Sequence, residues 1–242
     1  MSNSKLVTHI NMSPNYTPMT NKKNKKITIH HMAGNISVET CGNIFAKPAR
    51  RASSNYGIDS VGRVGLYVDE SNRAWTSSSY ENDSQAVTIE VANCGGEPNW
   101  PVSDTALAKL IDLCVDICQR NDIDKLVYTG DTKGNMTLHK WFAPTACPGP
   151  YLESKMKYIA EQVNAQLKKS TVTDNSSNSQ INSFLVKITA NSLNIRKGPS
   201  VSYGIVGQIT DKGVYTIVEV KNNWGKLKSG AGWISLRYTK RV

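Results

Sequence analysis

Histidine and cysteine are the side chains zinc prefers, and "LHKWFAPTACPGP" (138–150) holds one of each, His139 and Cys147, eight positions apart. The Pro148-Gly149-Pro150 exit restricts the backbone just beyond the thiol. Two ligands do not make a site, so other segments must contribute. In "ITIH" (27–30), strand alternation sends Ile27 and Ile29 to one face and Thr28 and His30 to the other. "VTIE" (87–90) repeats the layout, with Val87 and Ile89 against Thr88 and Glu90. An acid emerging from an apolar strand is costly to bury unless it meets a cation or performs chemistry. His30, His139 and Cys147 are therefore candidate ligands for Zn2+, and Glu90 is the candidate acid. Three protein ligands plus an open position is the catalytic zinc arrangement, whereas structural sites are closed by four. Zinc lowers the pKa of bound water to about 7. A carboxylate in reach can take a proton from that water and pass it to a leaving amine.

The elements that must carry these residues follow from periodicity. Strands are expected at 27–30, 65–70, 86–93 and 125–129, and helices at 37–46, 104–120 and 151–167. In the last helix Leu152, Met156, Ile159, Ala160, Val163 and Leu167 share one side. Such alternation implies an α/β sheet covered by helices over residues 1–167. "KKSTVTDNSSNSQI" (168–181) is poor in apolar residues and reads as a flexible linker. From 182 to 242 the helical period disappears. Short strands broken by Gly, Asp-Lys-Gly and Asn-Asn turns suggest a small β-barrel of five to six strands.

Hydrophobic residues make up 39% and charged residues 20% of the 242, ordinary values for a soluble globular protein. No apolar run approaches the ~20 residues of a membrane span. "MSNSKLVTHINMSPNYTP" lacks an apolar core of signal-peptide length. The expectation is synthesis in the cytoplasm, with release by other means if the protein acts outside. Five cysteines at irregular spacing are not a disulfide framework. Cys114 and Cys118, on the apolar stripe of 104–120, read as buried thiols. Residues 182–242 carry ten Lys and Arg against two acids, whereas 1–167 carry 17 against 16. The basic C-terminal quarter either attracts polyanions or serves solubility. "NKKNKK" (21–26) reads as a solvated lead-in to the first long strand.

"ITIHHMAGN", "AVTIEVAN" and "HKWFAPTACPGPYL" together resemble the zinc-dependent type 2 N-acetylmuramoyl-L-alanine amidases, a class that groups endolysins with peptidoglycan recognition proteins. The resemblance covers residues 8–167 and implies a central mixed sheet flanked by helices. It implies zinc on His30, His139 and Cys147, and Glu90 as the catalytic acid-base. Thr145 stands where some relatives carry a lysine that polarises the scissile carbonyl, and it could equally cap the turn. Ser54-Asn55 replaces a Tyr-His pair of several relatives, which shifts weight to Glu90 and leaves Asn55 as an expected substrate contact. His31 would point away from His30, as a supporting or packing residue. Trp141, expected at the substrate, and Trp75 line the groove or pack in the core. "SLNIRKGPSVSYGIVGQI" and "NNWGKLKSGAGWISLRYTK" resemble bacterial SH3-like wall-binding domains over 183–242. There Tyr203 and Trp224 are the expected substrate-binding aromatics, with Tyr238 beside them, while Trp233 after a glycine reads as core.

The resemblance implies an endolysin-type hydrolase that cuts between N-acetylmuramic acid and L-alanine after release by a holin-like pore or lysis. The alternative is a non-catalytic peptidoglycan-binding protein on the same fold. Expected partners are peptidoglycan and, through 182–242, anionic wall polymers. Nucleic acid and a membrane span are not expected, and the protein is expected to be a monomer.

Overall fold

Period-two alternation in the apolar segments becomes a mixed sheet with two unlike faces. The computed structural model describes residues 3–173 and 183–242. The chain divides into two compact units, Met1–Asn175 and Ser176–Val242. The first unit runs β1 (His9–Ile10), β2 (Tyr16–Thr17), β3 (Lys26–His31), α1 (Val38–Phe45), β4 (Tyr56–Ile58), β5 (Val64–Leu66) and β6 (Arg73–Ala74). It continues with α2 (Tyr80–Asp83), β7 (Ala86–Val91), α3 (Asp104–Arg120), β8 (Met136–Leu138) and α4 (Gly149–Thr173). Six strands form one sheet in the order β1-β5-β4-β7-β3-β8. β3 lies parallel to both β7 and β8, and β4 is antiparallel to β5, so the sheet is mixed as expected.

One face is apolar. Ile27, Ile29, Val87, Ile89, Met136 and Leu138 pack against α3 and α4 through Leu110, Ile117, Met156, Ile159 and Val163 in one core. Removing a buried leucine such as Leu110 from such a core typically costs about 2–5 kcal/mol. The other face is polar: Thr28, His30, Thr88, Glu90 and Thr137 alternate with the core residues. A smaller cluster of Cys41, Phe45 and Tyr67 packs α1 near it. Ser37, Ser79 and Ser103 each accept a backbone amide at the start of α1, α2 and α3, which terminates those helices cleanly.

Three expectations change. Residues 125–129 do not form a strand, and β8 begins at Met136 instead. The Leu126 backbone is occupied by a side chain: its amide donates to Asn164 Oδ1 and its carbonyl accepts from Asn164 Nδ2, both at 2.8 Å. The strand position beside β3 is left to Met136–Leu138. α4 continues to Thr173, so residues 168–173 of the expected linker are helical, while 174–181 lie outside the described residues. "NKKNKK" is not uniformly solvated, because Lys22 and Asn24 are buried, Lys22 at 3% exposure. Lys22 Nζ donates to the carbonyls of Asn72 at 3.0 Å and Ala86 at 2.8 Å, tying this segment to the start of β7.

The second unit is all β: β9 (Phe184–Ile188), β10 (Leu193–Arg196), β11 (Ile205–Ile209), β12 (Val214–Lys221), β13 (Trp224–Leu227), β14 (Trp233–Ser235) and β15 (Thr239–Arg241). They form a seven-stranded sheet in the order β11-β10-β14-β13-β12-β9-β15. "GWISLRYTK" supplies two strands instead of one, because a turn at Leu236–Tyr238 separates β14 from β15. Val186, Ile188, Leu193, Ile195, Ile209, Ile217, Leu227 and Ile234 form its core. Asn222 and Asn223 both take left-handed φ (51° and 62°) in the tight β12–β13 turn, a conformation asparagine tolerates well. Among the described residues no helix is long and apolar enough to cross a membrane.

Candidate metal centre

Strand register assembles the site. β3 and β7 pair His30 with Glu90, so the imidazole and the carboxylate emerge side by side on the polar face. β8 ends with Leu138 beside Ile29, which delivers His139, the next residue, toward His30. The two imidazole rings have centroids 4.8 Å apart and are tilted by 53°. The 140–147 loop then folds back on itself: the Lys140 amide donates to the Cys147 carbonyl at 3.1 Å. Thr145 Oγ1 accepts the Cys147 amide at 3.2 Å. Cys147 Sγ consequently sits 3.5 Å from His30 Nδ1. Gly149, two residues on, has φ +83°, and a Cβ there would stand 3.1 Å from Trp100 Cβ and 3.4 Å from the His31 ring. Glycine is the residue that fits both constraints.

His30, His139 and Cys147 each offer a donor atom, and these atoms all lie within 4.8 Å of one another. His30 is 1% exposed and Cys147 7%. Nε2 of both histidines and Oε2 of Glu90 are shielded from water without a hydrogen-bond partner. Buried polar atoms are nearly always satisfied, so unpaired atoms on His30, His139 and the adjacent Glu90 mark this part of the polar face as one that expects a ligand. Burial pushes both imidazoles toward the neutral form, His30 well below its ordinary value, with His139 and His31 adding to its shift. Burial, then the Glu90 charge, pushes the Cys147 thiol up, opposed by the backbone amide of His31. Burial raises Glu90 to about 8, against the pull of Arg50. Neutral imidazoles are ready ligands, and a divalent cation reverses the penalty on thiolate and carboxylate. The donor set suits zinc, for which nitrogen and sulfur ligands in a buried trio are ordinary.

The other expected residues divide. Asn55 is not a substrate contact: it is fully buried, with Nδ2 donating to the Val68 and Asp69 carbonyls and Oδ1 accepting from the Thr88 amide and hydroxyl. Every hydrogen-bonding group of that amide is used internally. Thr145 is exposed beside Cys147; its oxygen accepts the turn amide, which leaves the hydroxyl hydrogen to donate elsewhere. Trp141 follows His139 closely and stacks on Tyr128 at 5.8 Å while packing against the main core. Trp75 Nε1 donates to Thr17 Oγ1, an anchor for β2. His31 makes an edge contact with Trp100 at 5.3 Å. Tyr203 and Trp224 belong to the second unit. Tyr203 is 47% exposed with its ring against Gly198, and Trp224 is half-buried at the start of β13. Arg50, the cation acting on Glu90, was not signalled by any spacing, because the turn at Pro48–Arg50 presents it.

The family model described as N-acetylmuramoyl-L-alanine amidase matches residues 20–150, and that of the bacterial SH3 domain matches 191–240. No curated protein matches the chain at a significant level. Among solved structures, a mutant of PlyL aligns with TM-score 0.52 and 14% identity over 65% of this chain and 98% of that one. A mutant endolysin from Bacillus subtilis aligns with TM-score 0.51 and 16% identity over 64% and 97%. The hydrolase AmiA of Staphylococcus aureus, in complex with its ligand, aligns with TM-score 0.52 and 14% identity over 69% and 86%. At such identities the likeness is one of fold.

Proposed function

Because the chain belongs to the N-acetylmuramoyl-L-alanine amidase family, we propose that it hydrolyses the amide between N-acetylmuramic acid and L-alanine in peptidoglycan, with zinc held by His30, His139 and Cys147. One observation carries the reading: three donors lie within 4.8 Å of one another, and one of them, His30, stands on a strand whose register pairs it with Glu90. When bound, zinc supplies Lewis acidity toward the scissile carbonyl and the attacking water.

The chain's own residues do the rest. Glu90 takes a proton from the attacking water and returns it to the departing alanine nitrogen. Burial raises this carboxyl in the absence of metal, and the charge of a bound cation would offset that penalty, leaving Glu90 ionised to accept the proton near neutral pH. The Thr145 hydroxyl, whose oxygen already accepts the Cys147 amide, donates its hydrogen to the developing oxyanion. Trp141 offers an apolar wall beside His139. In the second unit Tyr203 and Trp224 bind the wall, and the surrounding lysines and arginines hold anionic polymers. Tethering of this kind raises the effective substrate concentration.

Purified protein incubated with cell walls should release new alanine amino termini. The release should stop with a chelator and return on adding zinc. New reducing sugar ends would assign a different bond, and wall binding without any new chain ends would mark a non-catalytic peptidoglycan binder.

A further inference from the structure

Below the site, the polar face of the sheet carries a ring of hydrogen bonds that the chemistry above does not use. Thr28 and Thr137 stand opposite each other across β3 and β8, each two residues before a proposed ligand, His30 and His139. Their hydroxyl oxygens are 2.9 Å apart. Asn82 closes the ring: its Nδ2 donates to Thr28 Oγ1 at 2.9 Å, and Thr137 Oγ1 donates to its Oδ1 at 3.2 Å. One donor assignment satisfies all three groups, with Asn82 giving to Thr28, Thr28 to Thr137 and Thr137 back to Asn82. Rings of this kind polarise each member in the same sense, which strengthens them in a dry interior. All three residues are buried.

Asn82 is itself held firmly. Its amide donates to Ser79 Oγ, the cap of α2, at 3.2 Å. The neighbouring Asp83 carboxylate accepts the Thr76 and Ser77 amides and the Ser77 hydroxyl. A one-turn helix thus aims a single carboxamide at the seam between the two strands. Residues two apart on a strand share a face, so His30 stands on the same face of β3 as Thr28, while His139 is the residue that follows the end of β8.

We propose that Asn82 is a positioning residue: through Thr28 and Thr137 it fixes β3 against β8 and sets the separation of the His30 and His139 imidazoles for a shared metal ion. The inference rests on the metal reading of the site. Groups that orient ligands typically change metal affinity by about 10–100-fold when removed.

The test compares zinc affinity, by competition with a chromophoric chelator, and the visible spectrum of the cobalt-loaded full chain. Asn82→Ala and Thr137→Val should weaken zinc binding about tenfold and alter the cobalt bands. Asn164→Ala, which removes a half-buried amide on α4 serving the Leu126 backbone, should lower thermal stability and leave both readouts as in the parent. If Asn82→Ala fails to fold, Thr137→Val decides, since it nearly preserves side-chain volume. Variants that lose stability while keeping parental affinity and cobalt spectrum would reduce the ring to a structural tie and overturn the proposal. A parent chain that takes up neither metal would remove the metal reading, and this inference with it.

Discussion

Replacing Lys22 by methionine asks what a buried ammonium does at the base of the strand that carries Glu90. Lys22 donates to the carbonyl of Ala86, the first residue of β7, and to that of Asn72. Burial lowers its pKa from the ordinary 10.5 to about 8, although Glu70 and Asp83 pull the other way. That gap is worth roughly 3 kcal/mol at about 1.36 kcal/mol per pH unit. Below pH 8 both folded and unfolded chains hold the proton, and the folded one carries the full penalty. Between pH 8 and 10.5 the unfolded chain keeps a proton that the folded chain has lost, so stability rises with pH across that window. Lys22→Met removes the penalty but leaves two carbonyls without their donor, a loss of about 1–3 kcal/mol for each. The two terms are of comparable size near neutrality. The parent should then gain roughly 3 kcal/mol on the variant as the pH approaches 10.5. Urea unfolding of both proteins in chelator, at the two ends of the window, measures this directly. A difference that stays constant with pH would mean that Lys22 titrates as a solvated lysine, and the burial argument would fail.

Three further outcomes bear on the site and the second unit. Glu90→Gln should keep zinc and wall binding while wall hydrolysis falls by about 10²–10⁴; undiminished turnover would refute the proton-transfer role. Cys147→Ser replaces the soft ligand by a hard, weakly acidic one, and zinc affinity should drop at least about tenfold; parental zinc content at limiting metal would exclude the thiolate as a ligand. Tyr203→Ala, at an exposed position, should reduce wall binding and turnover of insoluble walls but spare hydrolysis of a soluble muropeptide. Equal losses on both substrates would place the residue's effect in folding.

Local patterns carried the parts of the fold that depend on neighbours in sequence. Alternation in "ITIH" and "VTIE" put His30 and Glu90 on one face, and parallel pairing made them partners. The apolar stripes of α3 and α4 follow from a 3.6-residue period, and the Asn222-Asn223 turn from asparagine's tolerance of positive φ. What stayed hidden depends on distant partners. Nothing in "NKKNKK" announces that carbonyls at 72 and 86 will capture Lys22. "KLVYT" has strand composition, yet Asn164, 38 residues beyond Leu126, takes its hydrogen bonds. Asn55 stood at a position expected to meet substrate, and its amide was instead consumed by the Thr88, Val68 and Asp69 backbones.

The polar face of the sheet explains why site and support had such unequal visibility. Strands buried on both faces are ordinarily apolar throughout, so the threonines at 28, 88 and 137 are costly unless each hydroxyl is bonded. Each one is: Thr28 and Thr137 with Asn82, and Thr88 with Asn55. A histidine or a glutamate on such a strand advertises itself, because its chemistry is unusual among apolar neighbours. A threonine does not, since β-branched residues suit any strand. Its role becomes visible only when the partner, delivered by a separate one-turn helix, is found across the seam. Replacing Thr28 and Thr137 by valine together would leave the strand preference intact and take away only the bonds, which isolates that role from propensity.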